Sequence, residues 1–265
     1  MLPEVPALPI DPWFSLSGFF VGLLVGQTGM GGGSLMTPIL VLFFGIHPAT
    51  AVGTDLIYAS ITKSAGTLVH GLNQTVDWRI VTRLACGSVP ATALTLLVLS
   101  RRDMIGGSSG RMVTMVLGVM LILTAFSLIF RRRFLAVMQP LMSRVTPSGI
   151  GRLTVLTGVI LGVLVTISSV GAGALGVTAL LLLYPGARMA TIVGSDIAHA
   201  VPLTLVAGIG HWFLGAVDWP LLTSLLSGSI PGIVLGSYLS AKVPDAVLRP
   251  IMAVTLMLVG GRLVY

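Results

Sequence analysis

The stretch GQTGMGGGSLMTP, residues 26–38, interrupts an apolar segment that would otherwise be suited to crossing a membrane. Each glycine in a helix costs about 1 kcal/mol relative to alanine, so the run from Gly29 to Gly33 does not favour a helix. The apolar piece that follows it, 35–44, is too short to cross a bilayer alone, because a spanning helix needs about 20 residues. The sequence therefore predicts a helix that is broken inside the membrane.

The composition predicts an integral membrane protein. Of the 265 residues, 55% are hydrophobic and only 9% are charged, a balance that a soluble domain of this length does not have. Several apolar stretches reach the length of a spanning helix, and none alternates as barrel strands do. We therefore expect an all-α polytopic membrane protein, located in the plasma (inner) membrane.

The formal net charge of +7 does not indicate nucleic-acid binding. Its basic residues cluster at the ends of apolar segments, where they act as topology signals. The N-terminus carries Glu4 and Asp11, with no basic residue before the first apolar segment. We therefore expect no cleavable signal peptide.

The chain repeats itself at a constant shift of 141 residues. AVGTDLIYAS at 51–60 aligns with IVGSDIAHAV at 192–201, and GMGGGS at 29–34 aligns with VGAGAL at 170–175. Matches of this kind indicate internal duplication. The second glycine stretch is shorter than the first, which leaves open whether both have an equal role.

The duplication predicts a first transmembrane repeat at 13–130, a basic linker at 131–153 and a second repeat at 154–265. Each repeat would contain one broken or re-entrant helix segment followed by three transmembrane helices. If the broken segment turns back, the repeats are inverted about a pseudo-twofold axis. With a cytoplasmic linker, inversion places ten basic residues inside and four outside, against eight and six for parallel repeats. The positive-inside bias therefore favours inversion.

A broken membrane helix leaves backbone N–H groups that must be buried in protein or line a wet cavity. At a helix N-terminus these groups and the helix dipole attract an anion, and paired broken helices point to a transporter substrate site near the midplane. The alternative is that the glycines only allow close helix packing. The predicted substrate-binding residues are Gly31, Gly32, Gly33, Ser34, Thr37, Lys63, Gly171 and Gly173.

Asp55 and Asp196 are the acids that lie well inside predicted spans, at equivalent positions of the two halves. They are candidates either for proton coupling or for a structural role as acceptors of N–H groups from the broken helices. His199 lies three residues after Asp196 on the same helical face and could hydrogen-bond it. Lys63 could attract an anion or could extend to an interface. Its repeat partner is Thr204.

The sequence predicts neither a metal site nor a cofactor. The four histidines lack the spacing of metal ligands, and a single cysteine, Cys86, excludes a multi-cysteine site. No convincing pair of a nucleophile and a base is present, so we do not expect an enzyme.

The segment GMGGGSLMTPILVLFFGIHPATAVGTDLIYASITKSAGTLVH at 29–70, followed by VDWR, resembles the TauE/SafE family of sulfite exporters, also described as the 4-toluene sulfonate uptake permease family. The second-half motif VGSDIAHAVP adds to the resemblance. The resemblance implies a secondary carrier of small organic or inorganic anions, often sulfur-containing, without ATP hydrolysis. We expect an exporter of sulfite or a similar anion, which meets membrane lipid but no nucleic acid. A passive anion channel, or an uptake permease for sulfonates or carboxylates, remains open.

Overall fold

The computed structural model describes residues 10–28, 33–101, 110–142, 145–239 and 245–264. Within these ranges the chain forms ten helices and no strand, and five of the helices are long and apolar enough to cross a membrane. The predicted all-α polytopic fold is confirmed at this level. The helices are α1 Pro12–Thr28, α2 Gly33–Leu42, α3 Pro48–Leu72, α4 Trp78–Arg101, α5 Gly110–Met142, α6 Pro147–Ser168, α7 Ala174–Leu183, α8 Met189–Phe213, α9 Trp219–Leu239 and α10 Asp245–Val264.

Two short helices, α2 and α7, follow the expected interruptions. Each has 10 residues and is therefore about 15 Å long, roughly half of the hydrocarbon thickness. Between α6 and α7, Gly171 and Gly173 both have a φ of +118°, a conformation that favours glycine. Residues 29–32, between α1 and α2, lie outside the described residues.

Both short helices return toward the side on which the preceding helix begins. Directly after α7, the Tyr184 hydroxyl lies 2.8 Å from that of Thr154, near the start of α6. Ile46, which follows α2, lines a cavity of about 450 Å³ together with Asp11 and Pro12 at the start of α1. The α1–α2 and α6–α7 pairs are therefore re-entrant rather than single interrupted crossings.

Helices α3 and α8 pack against each other in antiparallel directions. A β-carbon at Gly53 would strike the carbonyl of Ala216, and one at Gly208 would strike Ile57. The order of these contacts shows that the start of α3 meets the end of α8. The direction of the chain thus reverses between these two helices, which begin 141 residues apart.

The same two helices are fastened at both ends by equivalent hydrogen bonds. At one end the Asp218 N–H donates to Thr54 Oγ1 at 3.0 Å. At the other, the Asp77 N–H donates to Ser195 Oγ at 2.9 Å. A hydrogen bond of this length between buried or half-buried groups stabilises by about 1 kcal/mol. The two bonds hold α3 and α8 in register.

Helix α1 lies along α9, and α6 lies along α4, both in parallel directions. Glycines allow these backbones to approach closely, as small residues do in membrane helices. On α1, Gly22 faces the backbone of Ser229, and on α6, Gly162 faces the backbone of Ser88. Each half of the chain therefore packs a helix of its re-entrant pair against the other half.

The expected basic linker is largely helical. Helix α5 extends to Met142, so residues 131–142 continue this helix. Helix α6 starts at Pro147, where the Gly149 N–H donates to the side chain of Thr146 as the N-cap. Proline is favoured at this first helical position because its missing N–H would have no helical partner.

Candidate anion site

The candidate site lies in the interior, where the short helices α2 and α7 meet α3 and α8. Polar side chains are costly there unless they pair or bind something. Three ionisable side chains of this region are nearly inaccessible: Asp55 is 0% exposed, Asp196 1% and Lys63 5%. The buried polar residues around them include Thr37, Ser88, Ser169, Thr178, His199 and Ser229.

Asp55 ties α3 to the short helix α2. The Thr37 hydroxyl, in the second turn of α2, donates to Asp55 Oδ2. The Thr37 backbone N–H also interacts with this carboxylate, whereas Oδ1 has no hydrogen-bond partner among the described residues. The contact is of the structural kind that the sequence allowed as one alternative. It leaves one carboxylate oxygen available.

Asp196 occupies the equivalent place between α8 and the short helix α7. A β-carbon at Gly176 would collide with its carboxylate, so glycine is needed for this close approach. The backbone N–H of Gly173 interacts with the same carboxylate. Oδ1 of Asp196 has no hydrogen-bond partner in the part of the chain that the structure describes.

The two acids differ in their hydroxyl donors. Thr178 follows Thr37 by 141 residues, but its hydroxyl donates to the Ala174 carbonyl at 2.8 Å and accepts from Ser127 at 3.0 Å. It therefore does not serve Asp196 as Thr37 serves Asp55. The second carboxylate relies on the backbone of α7 and on nearby charge.

Lys63 supplies that charge from α3. Its ammonium group interacts electrostatically with Asp196 first and with Asp55 second. The side chain is enclosed by protein rather than extended to a membrane interface, which was the alternative open from the sequence. Thr204, at the equivalent position of α8, instead donates to the Ala200 carbonyl at 2.8 Å. Lys63 thus has no basic counterpart at the equivalent place.

The N-terminal end of α7 presents backbone amides to this region. The first four N–H groups of a helix have no partner within the helix, and the positive end of the dipole lies there. Two of the following N–H groups, of Leu175 and Gly176, both donate to the Gly171 carbonyl at 3.2 Å. Ser169, just before them, has a φ of 57°, and its buried hydroxyl has no partner among the described residues.

His199 forms a contact that differs from the expected one. Its Nε2 lies 2.9 Å from the Ser88 hydroxyl, and its Nδ1 has no partner in the described chain, so the bond to Asp196 is not formed. Tyr58, equivalent to His199, interacts with Ser229, which is equivalent to Ser88. Both serines belong to the repeated Gly-Ser-x-Pro motif. The shared shift of 141 was the signal that could have paired them with Tyr58 and His199.

The structure brings most of the predicted residues to this interior region. Gly33 begins α2, and Ser34 lies in its first turn, whereas Gly31 and Gly32 lie outside the described residues. Within the described residues, no group of three or more His, Cys, Asp or Glu side chains could hold a metal ion.

These features define a polytopic helical membrane protein with re-entrant helices around an enclosed, charged interior, as in secondary transporters. The family model described as "Sulfite exporter TauE/SafE" matches residues 14–263. The chain belongs to this family and is a multi-pass membrane transporter.

The relatives agree over their whole length. The chain is 39% identical over 250 residues to the "Probable membrane transporter protein YjnA" of Bacillus subtilis, an alignment that covers 94% of this chain and 98% of the relative. It is 26% identical over 251 residues to "Probable membrane transporter protein YdhB" of the same organism, covering 93% and 97%. No solved structure matches.

Proposed function

We propose that the protein is a secondary transporter that exports sulfite or a similar small sulfur-containing or organic anion. The observation that carries the proposal is the position of Lys63, a cation buried beside the N-terminal end of the half-membrane helix α7. A buried ammonium group is costly unless an opposite charge compensates it. An oxyanion would gain both from this charge and from the backbone amides.

In this proposal the two short helices hold the anion from opposite sides. Its oxygens would accept from the amides of Gly31, Gly32 and Gly33 and from Ser34 and Thr37. From the second half, Gly171 and Gly173 would contribute their backbone. Glycine allows the backbone to approach the ligand without a side chain intervening. Lys63 would supply the attraction, while Asp55, Asp196 and His199 would position the helices or exchange protons.

We also propose that residues 13–130 and 154–265 are inverted repeats. The antiparallel packing of α3 and α8 supports this arrangement, as does the return of both short helices toward the side on which the preceding helix begins. Inverted repeats allow alternating access, because exchanging the conformations of the two halves turns an inward-facing state into an outward-facing one. The substrate would then remain between them while one half moves against the other.

The expected direction is export. A membrane potential that is negative inside favours the exit of an anion by about 2.3 kcal/mol per charge per 100 mV. No ATP-hydrolysing part is required for such a gradient to drive transport. Uptake of a sulfonate or carboxylate by the same fold would require coupling to a second gradient.

The experiment is counterflow in proteoliposomes that contain the full chain. Vesicles loaded with unlabelled sulfite receive a trace of radiolabelled sulfite outside, and we expect transient, saturable accumulation that empty vesicles do not show. Flux that never saturates and is not stimulated by internal sulfite would instead identify a channel. A matched variant, Gly261→Ala, should accumulate sulfite normally because nothing lies within 4 Å of the added methyl group.

A further inference from the structure

We infer that Asp196, rather than Asp55, is the residue that binds a proton when the anion binds to Lys63, so that one anion and one proton occupy the site together. The inference rests on the proposed function and assigns the proton to one of two acids that the repeats place at equivalent positions. It follows from the unequal surroundings of these acids.

Asp55 is the acid with a fixed partner. It accepts a hydrogen bond from the Thr37 hydroxyl, and Lys63 contributes less to its environment than this bond does. Binding an anion at Lys63 would therefore leave the main contact of Asp55 intact. Its place between α2 and α3 suits a residue that holds the short helix.

Asp196 is the acid that depends on Lys63. The hydroxyl that could have served it belongs to Thr178, which is engaged by Ala174 and Ser127. For Lys63, in turn, Asp196 is the stronger of the two electrostatic partners. The two residues lie on α3 and α8, so their interaction joins the two halves of the chain across the antiparallel contact.

The charge balance then requires a proton. Before an anion arrives, the interior holds one cation, Lys63, and two carboxylates, so another negative charge would leave at least two uncompensated. Removing the partner of a buried charge costs about 3–5 kcal/mol. A proton taken from solution onto Asp196 Oδ1, which has no hydrogen-bond partner among the described residues, removes this cost. Lys63 is then free to bind the anion.

The charged and titratable groups around Asp196 are few. On α8 there is His199, bound to Ser88, and α3 contributes Lys63, Asp55 and Tyr58. On the helices α4 and α6 that pack against α8, the described charged residues Arg79, Arg83 and Arg152 are exposed. They lie toward the helix ends, away from the interior site.

Joint binding sets the charge that crosses the membrane. A divalent oxyanion accompanied by one proton still carries one negative charge, so the membrane potential continues to favour its exit. A monovalent anion with a proton is neutral, and its movement would follow the concentration and pH gradients alone. The proton leaves Asp196 on the side where the anion leaves Lys63.

The test compares proton uptake on sulfite binding in the wild type, Asp196→Asn and Asp55→Asn. Calorimetric titrations of the purified full chain in two buffers of different ionisation enthalpy give the number of protons bound per sulfite. The protons exchanged by sulfite itself cancel when variants are compared at one pH. We expect the wild type and Asp55→Asn to take up about one proton more than Asp196→Asn.

The same linkage predicts a pH dependence. Relative to Asp196→Asn, sulfite affinity of the wild type should fall up to about tenfold per unit of rising pH, because one proton binds with each anion. Equal proton numbers and parallel pH profiles in the wild type and Asp196→Asn would overturn the inference. Loss of the extra proton in Asp55→Asn alone would transfer the role to Asp55.

Infrared difference spectra cover the case in which Asp196→Asn does not fold. Addition of sulfite to the wild type should produce a protonated carboxyl band that Asp55→Asn retains. Sulfite binding without such a band overturns the proton assignment while the proposed anion site stands. If the wild type neither binds nor transports sulfite or related anions, the proposed function and this inference fall together.

Discussion

Replacement of Gly22 by alanine tests the contact between α1 and α9, through which the re-entrant pair of the first half packs on the second half. The added β-carbon would lie 2.9 Å from Cα and 3.1 Å from the carbonyl carbon of Ser229, where ordinary contacts begin near 3.4 Å. Both atoms belong to the backbone, so no side chain can turn away. The two helices have to separate locally by several tenths of an ångström.

The magnitude follows from two opposing effects. Overpacking of this kind costs about 1–3 kcal/mol, whereas alanine in place of glycine favours the helix by up to about 1 kcal/mol. The expected net loss is about 1–2 kcal/mol, which corresponds to a lower midpoint of thermal unfolding by about 2–8 °C. Ser229 lies beside Tyr58 in the interior, so the displacement should also reach the site.

The assay is thermal unfolding of the purified protein in detergent, followed by tryptophan fluorescence. Gly261→Ala on α10 is the matched control, because the same change there meets no atom within 4 Å and should leave the midpoint unchanged or raise it. A midpoint for Gly22→Ala equal to or above that of the control would refute the close packing of α1 on α9.

Three further substitutions address the site itself. Replacing Gly32 and Gly33 together by valine should abolish sulfite transport while the protein still reaches the membrane, since bulk prevents the backbone from approaching the anion; normal counterflow would remove this loop from the site. Lys63→Met should weaken sulfite binding at least tenfold in a thermal-shift titration without lowering the unfolding midpoint of the ligand-free protein, and unchanged affinity would exclude Lys63. Thr37→Val removes the donor to Asp55 and should lower stability by about 1–3 kcal/mol, measured by thermal unfolding; an unchanged midpoint would mean that this bond does not hold α2.

The sequence predicted the helical architecture because its strongest signals are local. The interruption at 169–173 follows from glycines that do not favour a helix, and residues 171 and 173 indeed adopt positive φ. The lengths of the apolar segments likewise predicted α3, α4, α8 and α9 to within two residues at their starts. The continuation of α5 to Met142 was missed because a run of arginines indicates the end of a membrane span, not the end of a helix.

The partners of the interior side chains could not be predicted from sequence spacing. His199 and Asp196 share a helical face, and this proximity favoured a direct bond. The structure instead pairs His199 with Ser88 of α4, a contact between residues that lie 111 positions apart. Which of two available donors a buried group uses depends on how neighbouring helices are rotated, and periodicity within one helix does not fix that rotation.

The places where the two halves agree and differ separate architecture from chemistry. The hydrogen bonds that hold the ends of α3 and α8 are equivalent in both halves, from Asp218 to Thr54 and from Asp77 to Ser195. In the interior, by contrast, Lys63 faces a region where the equivalent residue is Thr204. Two lysines there would repel each other and could bind two anions. A single buried cation instead favours one anion for each transport cycle, because a second one would lack a compensating charge.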